Sequence, residues 1–252
     1  MSLLHAVAIL GAGVVAGAIN AVVGSGTLFT FPVLLAFGYA PVVANVSNTI
    51  GLVPGSVAGA VGYRRELAGQ RTRTMRLSVA SVSGGVLGGV LLLTLPASAF
   101  KAIVPVFIIV ALVLIIFQPQ ISRALAARRG SAHHREQAGP LASLGVFAAG
   151  IYGGYFGAAQ GIMLLAILSL AIDDDLQRVN ALKVVLAGLV NLVAGVIFVF
   201  AAHVAWGPAA LIAVGSIIGG VLGAKGGRRL PASALRAIIV VVGIFAIVRL
   251  LG

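Results

Sequence analysis

The 252-residue chain has no cysteine, so it forms no disulfide and holds no thiolate-bound metal. It is poor in charge: Asp, Glu, Lys and Arg together make 9% of the residues, and only five are acidic. A soluble domain could not cover its surface with so little polarity, and the mean hydropathy of +1.16 points to lipid as the surrounding solvent. The apolar runs, such as Phe100–Phe117 and Ala232–Val248, are continuous rather than alternating, which excludes a transmembrane β-barrel and predicts spanning helices. Nucleotide-binding glycine loops of the Walker kind and nucleophile–base pairs are also missing, so neither ATP hydrolysis nor other catalysis is expected, and no cofactor.

The seventeen basic residues give a net charge of +12. Most lie in short segments beside apolar runs, where they read as topology signals and not as a nucleic-acid surface. Arg64, Arg65, Arg71, Arg73 and Arg76 fall in one such segment, four arginines in the stretch 118–140, and Lys225, Arg228 and Arg229 in a third. These are expected to face the cytoplasm of a bacterial-type inner membrane. The opposing turns at Phe37–Pro41 and Ala201–Trp206 carry no Lys or Arg. The amino terminus has no basic run before its apolar stretch, so it is read as mature protein and not as a cleaved signal.

What the chain does have is a repeat. Ala16–Pro32 reads A-G-A-I-N-A-V-V-G-S-G-T-L-F-T-F-P, and Ala149–Leu165 reads A-G-I-Y-G-G-Y-F-G-A-A-Q-G-I-M-L-L. Setting Gly17 on Gly150 puts Gly24 on Gly157; a slip of one or two residues then sets Asn45 on Asn180, Asn48 on Lys183 and Ser56 on Asn191. Paired, glycine-interrupted apolar segments at matching places in two halves mark the binding site of many transporters. The predicted elements are Leu3–Val23, a break at Gly24-Ser25-Gly26, Thr27–Phe37, Pro41–Tyr63 kinked at Pro54, Leu77–Leu95 and Phe100–Phe117. After a polar linker at 118–140 come Leu141–Phe156, a second break, Ile162–Ile172, Leu176–Ala202, Pro208–Gly223 and Ala232–Leu251.

Counting crossings between the basic segments makes each broken element enter and leave on one face. The expected fold is therefore an all-α polytopic membrane protein of two inverted-topology repeats. Each repeat (1–117 and 141–252) is a re-entrant helical hairpin plus three transmembrane helices, and 118–140 is a basic cytoplasmic linker.

The candidate site is built from Gly24, Ser25, Gly26 and Thr27 at the first break, Gly157, Ala158, Ala159, Gln160 and Gly161 at the second, and Asn48, Lys183 and Asn191. Helix amino ends bring unsatisfied amides and about half a positive charge, so two that converge would cradle an anion. The competing reading is that the glycines only let helices pack closely. Lys183 lies about two turns inside an apolar span, where a cation is kept for a partner or a ligand unless it snorkels to the interface. The acids Glu66, Glu136, Asp173, Asp174 and Asp175 all lie in loops or at a span's edge, so none is placed to pair with it. A small anionic ligand follows. Asn20, Asn45 and Ser56 either line the site or bond neighbouring helices. His5 and His203 read as interfacial, His133-His134 as a solvated turn and not a metal site, and Asp173–Asp175 beside Arg178 as a helix cap.

The stretches G-S-G-T-L-F-T-F-P-V-L-L, A-N-V-S-N-T and P-G-S-V-A-G in the first half, with G-G-Y-F-G-A-A-Q-G and Asn180–Lys183 in the second, resemble the TauE/SafE family of sulfite-exporter-like permeases. The likeness covers nearly the whole chain. The second half departs from the family pattern, with Ala158-Ala159-Gln160 where more glycine is usual and Ala166 where a proline is usual. The resemblance implies secondary-active export of small sulfur-containing anions, sulfite or organosulfonates, with other small organic anions as the alternative substrate. An anion channel is the alternative mechanism, and a homodimer is possible.

Overall fold

The computed structural model describes residues 2–128, 139–226 and 232–251; the linker histidines His133 and His134 and the basic residues Arg129, Arg135, Arg228 and Arg229 lie outside them. The described residues form ten α-helices and no strand: α1 Leu3–Val22, α2 Thr27–Ala36, α3 Pro41–Gly62, α4 Arg71–Thr94, α5 Ala97–Arg128, α6 Pro140–Tyr155, α7 Gln160–Ala171, α8 Leu176–Ala201, α9 Trp206–Gly226 and α10 Ala232–Leu251. Five of them, α1, α4, α5 (over 97–121), α8 and α9, are long and apolar enough to cross a membrane. At 22 residues α3 is long enough, but Asn45, Ser47, Asn48 and Thr49 fall within two turns and make it too polar to count with the five.

Two element boundaries differ from the sequence reading. Helix α5 does not stop at Phe117 but continues to Arg128, into the stretch read as linker, because the end of an apolar run is not the end of a helix. Helix α4 begins at Arg71, so Arg71, Arg73 and Arg76 are helical and not loop residues. Helix α3 runs through Pro54 as one element, as expected for the span Pro41–Tyr63.

Glycine decides how these helices meet. In α4, Gly84 and Gly88 lie against Phe147 and Ile151 of α6, while Gly85 and Gly89 lie against Val190 and Ala194 of α8. Helix α9 repeats the device with the segment G-S-I-I-G-G: Gly215 and Gly219 lie against Leu10 and Val14 of α1, and Ser216 and Gly220 against Gly55 of α3. Four-residue spacing puts each pair on one helix face, and without side chains the backbones approach closely, which is the main source of helix affinity in lipid. The fourth helix of each half is thus wedged between the first and third helices of the other half.

The order of these contacts gives helix directions. Along α1 and α9 the contacts climb together, from Gly13 with Ile212 to Ala18 with Gly223, and α3 climbs with α9 from Gly51 with Ile212 to Gly62 with Ala224. Helices α1, α3 and α9 therefore run one way. By the same reasoning α4, α6 and α8 run together. Between the groups, Gly59 meets Val184, Ser56 meets Gly188 and Ile50 meets Gly195, so α3 and α8 run oppositely. This α3/α8 seam passes through the middle of the molecule.

Candidate functional site

Both breaks are made the same way. At the end of α1 the amides of Val23 and Gly24 donate to the Ile19 carbonyl at 2.7 and 2.8 Å; at the end of α6 those of Phe156 and Gly157 donate to Tyr152 at 2.9 and 3.0 Å. Gly24 and Gly157 then take φ of +86° and +77°, the left-handed turn that ends a helix and that glycine adopts without strain. The two breaks touch: the Gly161 amide donates to the Gly24 carbonyl at 3.0 Å, and a Cβ on either glycine would strike the other's backbone. Gly161 also packs on the methylenes of Lys183.

Lys183 is fully buried, at 0% exposure, and is the only charged residue in the buried set among the described residues. Its ammonium donates to the Asn20 carbonyl at 3.2 Å, in the last turn of α1. The carbonyl end of a helix carries partial negative charge, which helps to hold the cation there. Among the described residues no carboxylate bonds to it; Asp174, between α7 and α8, is engaged by Arg73 of α4 at 2.9 Å and Arg178 of α8 at 2.8 Å. Asp175 caps α8 by accepting from the Gln177 amide.

Carboxamides tie the halves across the seam. The Asn45 side chain donates to the carbonyl of Tyr155, the last residue of α6, at 3.0 Å, and Asn180 donates to Ala21, near the end of α1, at 3.2 Å. The side-chain oxygens of both asparagines have no partner among the described residues. Asn48 stands at the position matching Lys183 but bonds within its own half, to Thr27 at 3.3 Å and to Thr30. The notch beside each break is also filled by an amide, though from a different helix. In the first half Asn20 of α1 accepts from the Gly26 amide at 2.7 Å. In the second half Gly153 leaves room on α6, and Gln160 of α7 packs there.

At the centre lies a cavity of about 20 Å³, bounded by Asn20, Gly24, Thr27, Gln160, Gly161 and Asn191. That holds about one water. Gln160 is 3% exposed, and its Nε2 has no partner among the described residues. Of the other predicted residues, Gly157 also lines the cavity. Ser25, with its hydroxyl likewise unpartnered, is buried but is not part of the cavity wall, and neither are Gly26, Ala158, Ala159, Asn48 or the ammonium of Lys183. The sequence reading missed Gly55 and Gly59 in the wall; the four-residue stripe Gly51, Gly55, Gly59 is the signal that would have found them.

Two further features flank the cavity. On the side of the basic segments a vestibule of about 310 Å³ lies between Val22, Tyr63, Glu66, Gln177, Asn180 and Lys225. The Asn180–Ala21 bond stands between it and the centre. On another side the rings of Phe31, Phe100 and Phe156 pack edge-to-face with centroids 5.1 to 6.4 Å apart, all nearly fully buried.

Crossing helices, two touching helix breaks and one enclosed cation define a polytopic membrane transporter. The family described as sulfite exporter TauE/SafE matches residues 9–250, and the chain belongs to that family. It is 27% identical over 217 residues to a probable membrane transporter protein of Haemophilus influenzae, covering 84% of this chain and 81% of that one. A probable membrane transporter protein, ORF9, of a Sinorhizobium species is 26% identical over 96% of this chain and 90% of its own. The probable membrane transporter YfcA of Escherichia coli K12 is 24% identical, covering 83% and 76%. No solved structure matches the chain.

Proposed function

We propose that this protein is a secondary-active exporter of small sulfur-containing anions, sulfite or organosulfonates, in a bacterial inner membrane, with its basic segments cytoplasmic. The observation that carries this reading is the fully buried Lys183 ammonium beside the crossed helix breaks, with no carboxylate bonded to it among the described residues. A cation kept in the membrane interior costs about 2.5–3.5 kcal/mol on insertion scales and is retained for a ligand or partner. The family description, sulfite exporter, supports sulfur oxyanions over other anions.

The two halves act as inverted-topology repeats. The opposite directions of α1 and α6, of α3 and α8, and of α4 and α9 support this, as does the repeated cap at Gly24 and Gly157. Alternating access follows from such symmetry. The closed central cavity favours it over a continuous channel, and the vestibule past Asn180 is the route from the cytoplasmic side. To admit an anion the α3/α8 seam opens, the Lys183 ammonium leaves the Asn20 carbonyl for the ligand, and Gln160 supplies its unpartnered amide.

The test is efflux from proteoliposomes loaded with sulfite or an alkylsulfonate. Replacing Lys183 with Ala should lower the rate at least about tenfold, since a hydrogen bond to a charged group is worth about 1.5–3 kcal/mol. Lys183→Gln should restore little of it. Wild-type rates in both variants, with normal expression, would remove Lys183 from the site.

A further inference from the structure

The α3/α8 seam has an outer side. There an apolar groove of about 370 Å³ runs between the two helices, lined by Val57, Ala60, Val61, Val185, Leu189 and Leu192. Its walls are apolar except at two places: Arg64 at one end and Ser56 deep within it. From Arg64 back to Ser56 the groove follows eight residues, about 12 Å of helix, against about 15 Å for half of a bilayer's hydrocarbon core. Arg64 lies two residues past the end of α3 and is exposed. The groove therefore begins at headgroup depth and ends near the midplane. Helices α3 and α8 stay in contact along its floor, where Gly59 meets Val184 and Gly188 meets Ser56, so the opening is narrow. A helix of a second copy, about 10–12 Å across with side chains, is a poor fit; a flexible hydrocarbon chain suits the shape.

We propose that this groove is a binding site for an anionic phospholipid, with one acyl chain along the α3/α8 seam and the phosphate on the guanidinium of Arg64. Planar guanidinium groups match phosphate oxygens in pairs. Ser56 and Val184 line both this groove and the central cavity, so the acyl chain lies one side-chain layer from the transport site. It braces the seam that must part for a ligand to enter. The site depends only on the chain crossing a bilayer; its failure would leave the Lys183 experiment untouched.

The experiment is native mass spectrometry of the purified full chain incubated with dioleoylphosphatidylglycerol or dioleoylphosphatidylcholine. Wild type should retain phosphatidylglycerol at least about fivefold more than phosphatidylcholine. Arg64→Gln should reduce phosphatidylglycerol to the phosphatidylcholine level. Val57→Trp, at a side chain 56% exposed on the groove wall, should fill the groove and remove both lipids without disturbing the packing. Arg76→Gln, another exposed arginine outside the groove, should change nothing. Unaltered phosphatidylglycerol retention in Arg64→Gln and Val57→Trp would overturn the proposal, as would an equal loss in Arg76→Gln. Glycerol 1-phosphate, a head without chains, should not displace the lipid; displacement would assign binding to the arginine alone and refute the groove.

Discussion

Ala159 is the only non-glycine residue with positive φ among the described residues, at +60°, and it is fully buried. For a residue with a Cβ the left-handed conformation costs about 1–2 kcal/mol. It lies within the break that precedes α7, at that helix's amino-terminal cap. Substituting glycine removes that strain but gives the unfolded chain more freedom to lose, about 0.4–1 kcal/mol. The expected outcome for Ala159→Gly is a gain of roughly 0.5–1 kcal/mol, seen as a small rise in Tm in detergent. A fall in Tm would mean that the alanine methyl packs better than its backbone is strained. The sequence alone marked this segment as a departure from pattern, yet could not show the cost, because φ is set by how the second hairpin folds back onto Gly153.

At the scale of elements, the helix breaks were legible and their contacts were not. Gly24 and Gly157 stand out because glycine repeats at matching places inside apolar runs. That Gly24 crosses Gly161, and not Gly157, depends on how the hairpins cross, which no local pattern encodes. Lys183 could be placed at depth from its position in α8; that its bond goes to a carbonyl of α1 could not. Gly24 and Gly38 separate the two demands on a glycine. Both have positive φ, +86° and +83°, but a Cβ on Gly38 meets nothing within 4 Å, whereas one on Gly24 runs into Gly161. Gly38→Ala is thus expected to cost about 1 kcal/mol from strain alone and to leave transport intact. Gly24→Ala should add a backbone clash, lower Tm by several degrees and abolish efflux. Equal thermal shifts for the two variants would show that the break's crossing is not tight.

For the molecule as a whole, the face bearing the basic segments is pinned by charge. Asp174, between α7 and α8, holds Arg73 of α4 and Arg178 of α8, while Gln70 and the Ala68 carbonyl also bond to Arg178. Burial raises the Asp174 carboxyl pKa, but the Arg73 hydrogen bond, the Asp175 amide and the charges of Arg178 and Arg73 outweigh it, and it ends below the usual carboxylate value. A depressed folded value means the tie stabilises the protein above the unfolded pKa of about 3.9 and is lost as pH falls further, through the folded value. Thermal unfolding of wild type and Asp174→Asn should therefore differ at pH 7 and converge below about pH 4. A constant difference across that range would show that the carboxylate's charge contributes nothing. The alternation of basic and uncharged turns was readable from composition, and so was an all-helical membrane protein. The exchange of α4 and α9 between halves was not, although the segments G-G-V-L-G-G and G-S-I-I-G-G repeat in plain view, because spacing shows that a helix face is small and never which helix will fill it.

That exchange has a consequence for biosynthesis. Helices α1 and α3 reach their glycine-matched partner only when residues 206–226 have left the ribosome, so the earlier part of the chain waits in the bilayer with its smooth faces uncovered. A fragment ending at residue 128 should be degraded in cells when made alone and rescued when residues 139–252 are produced beside it. A fragment that persists and runs as a monodisperse species would mean α9 is dispensable for the earlier helices. A nonsense mutation anywhere before α9 is therefore expected to leave no partial transporter behind.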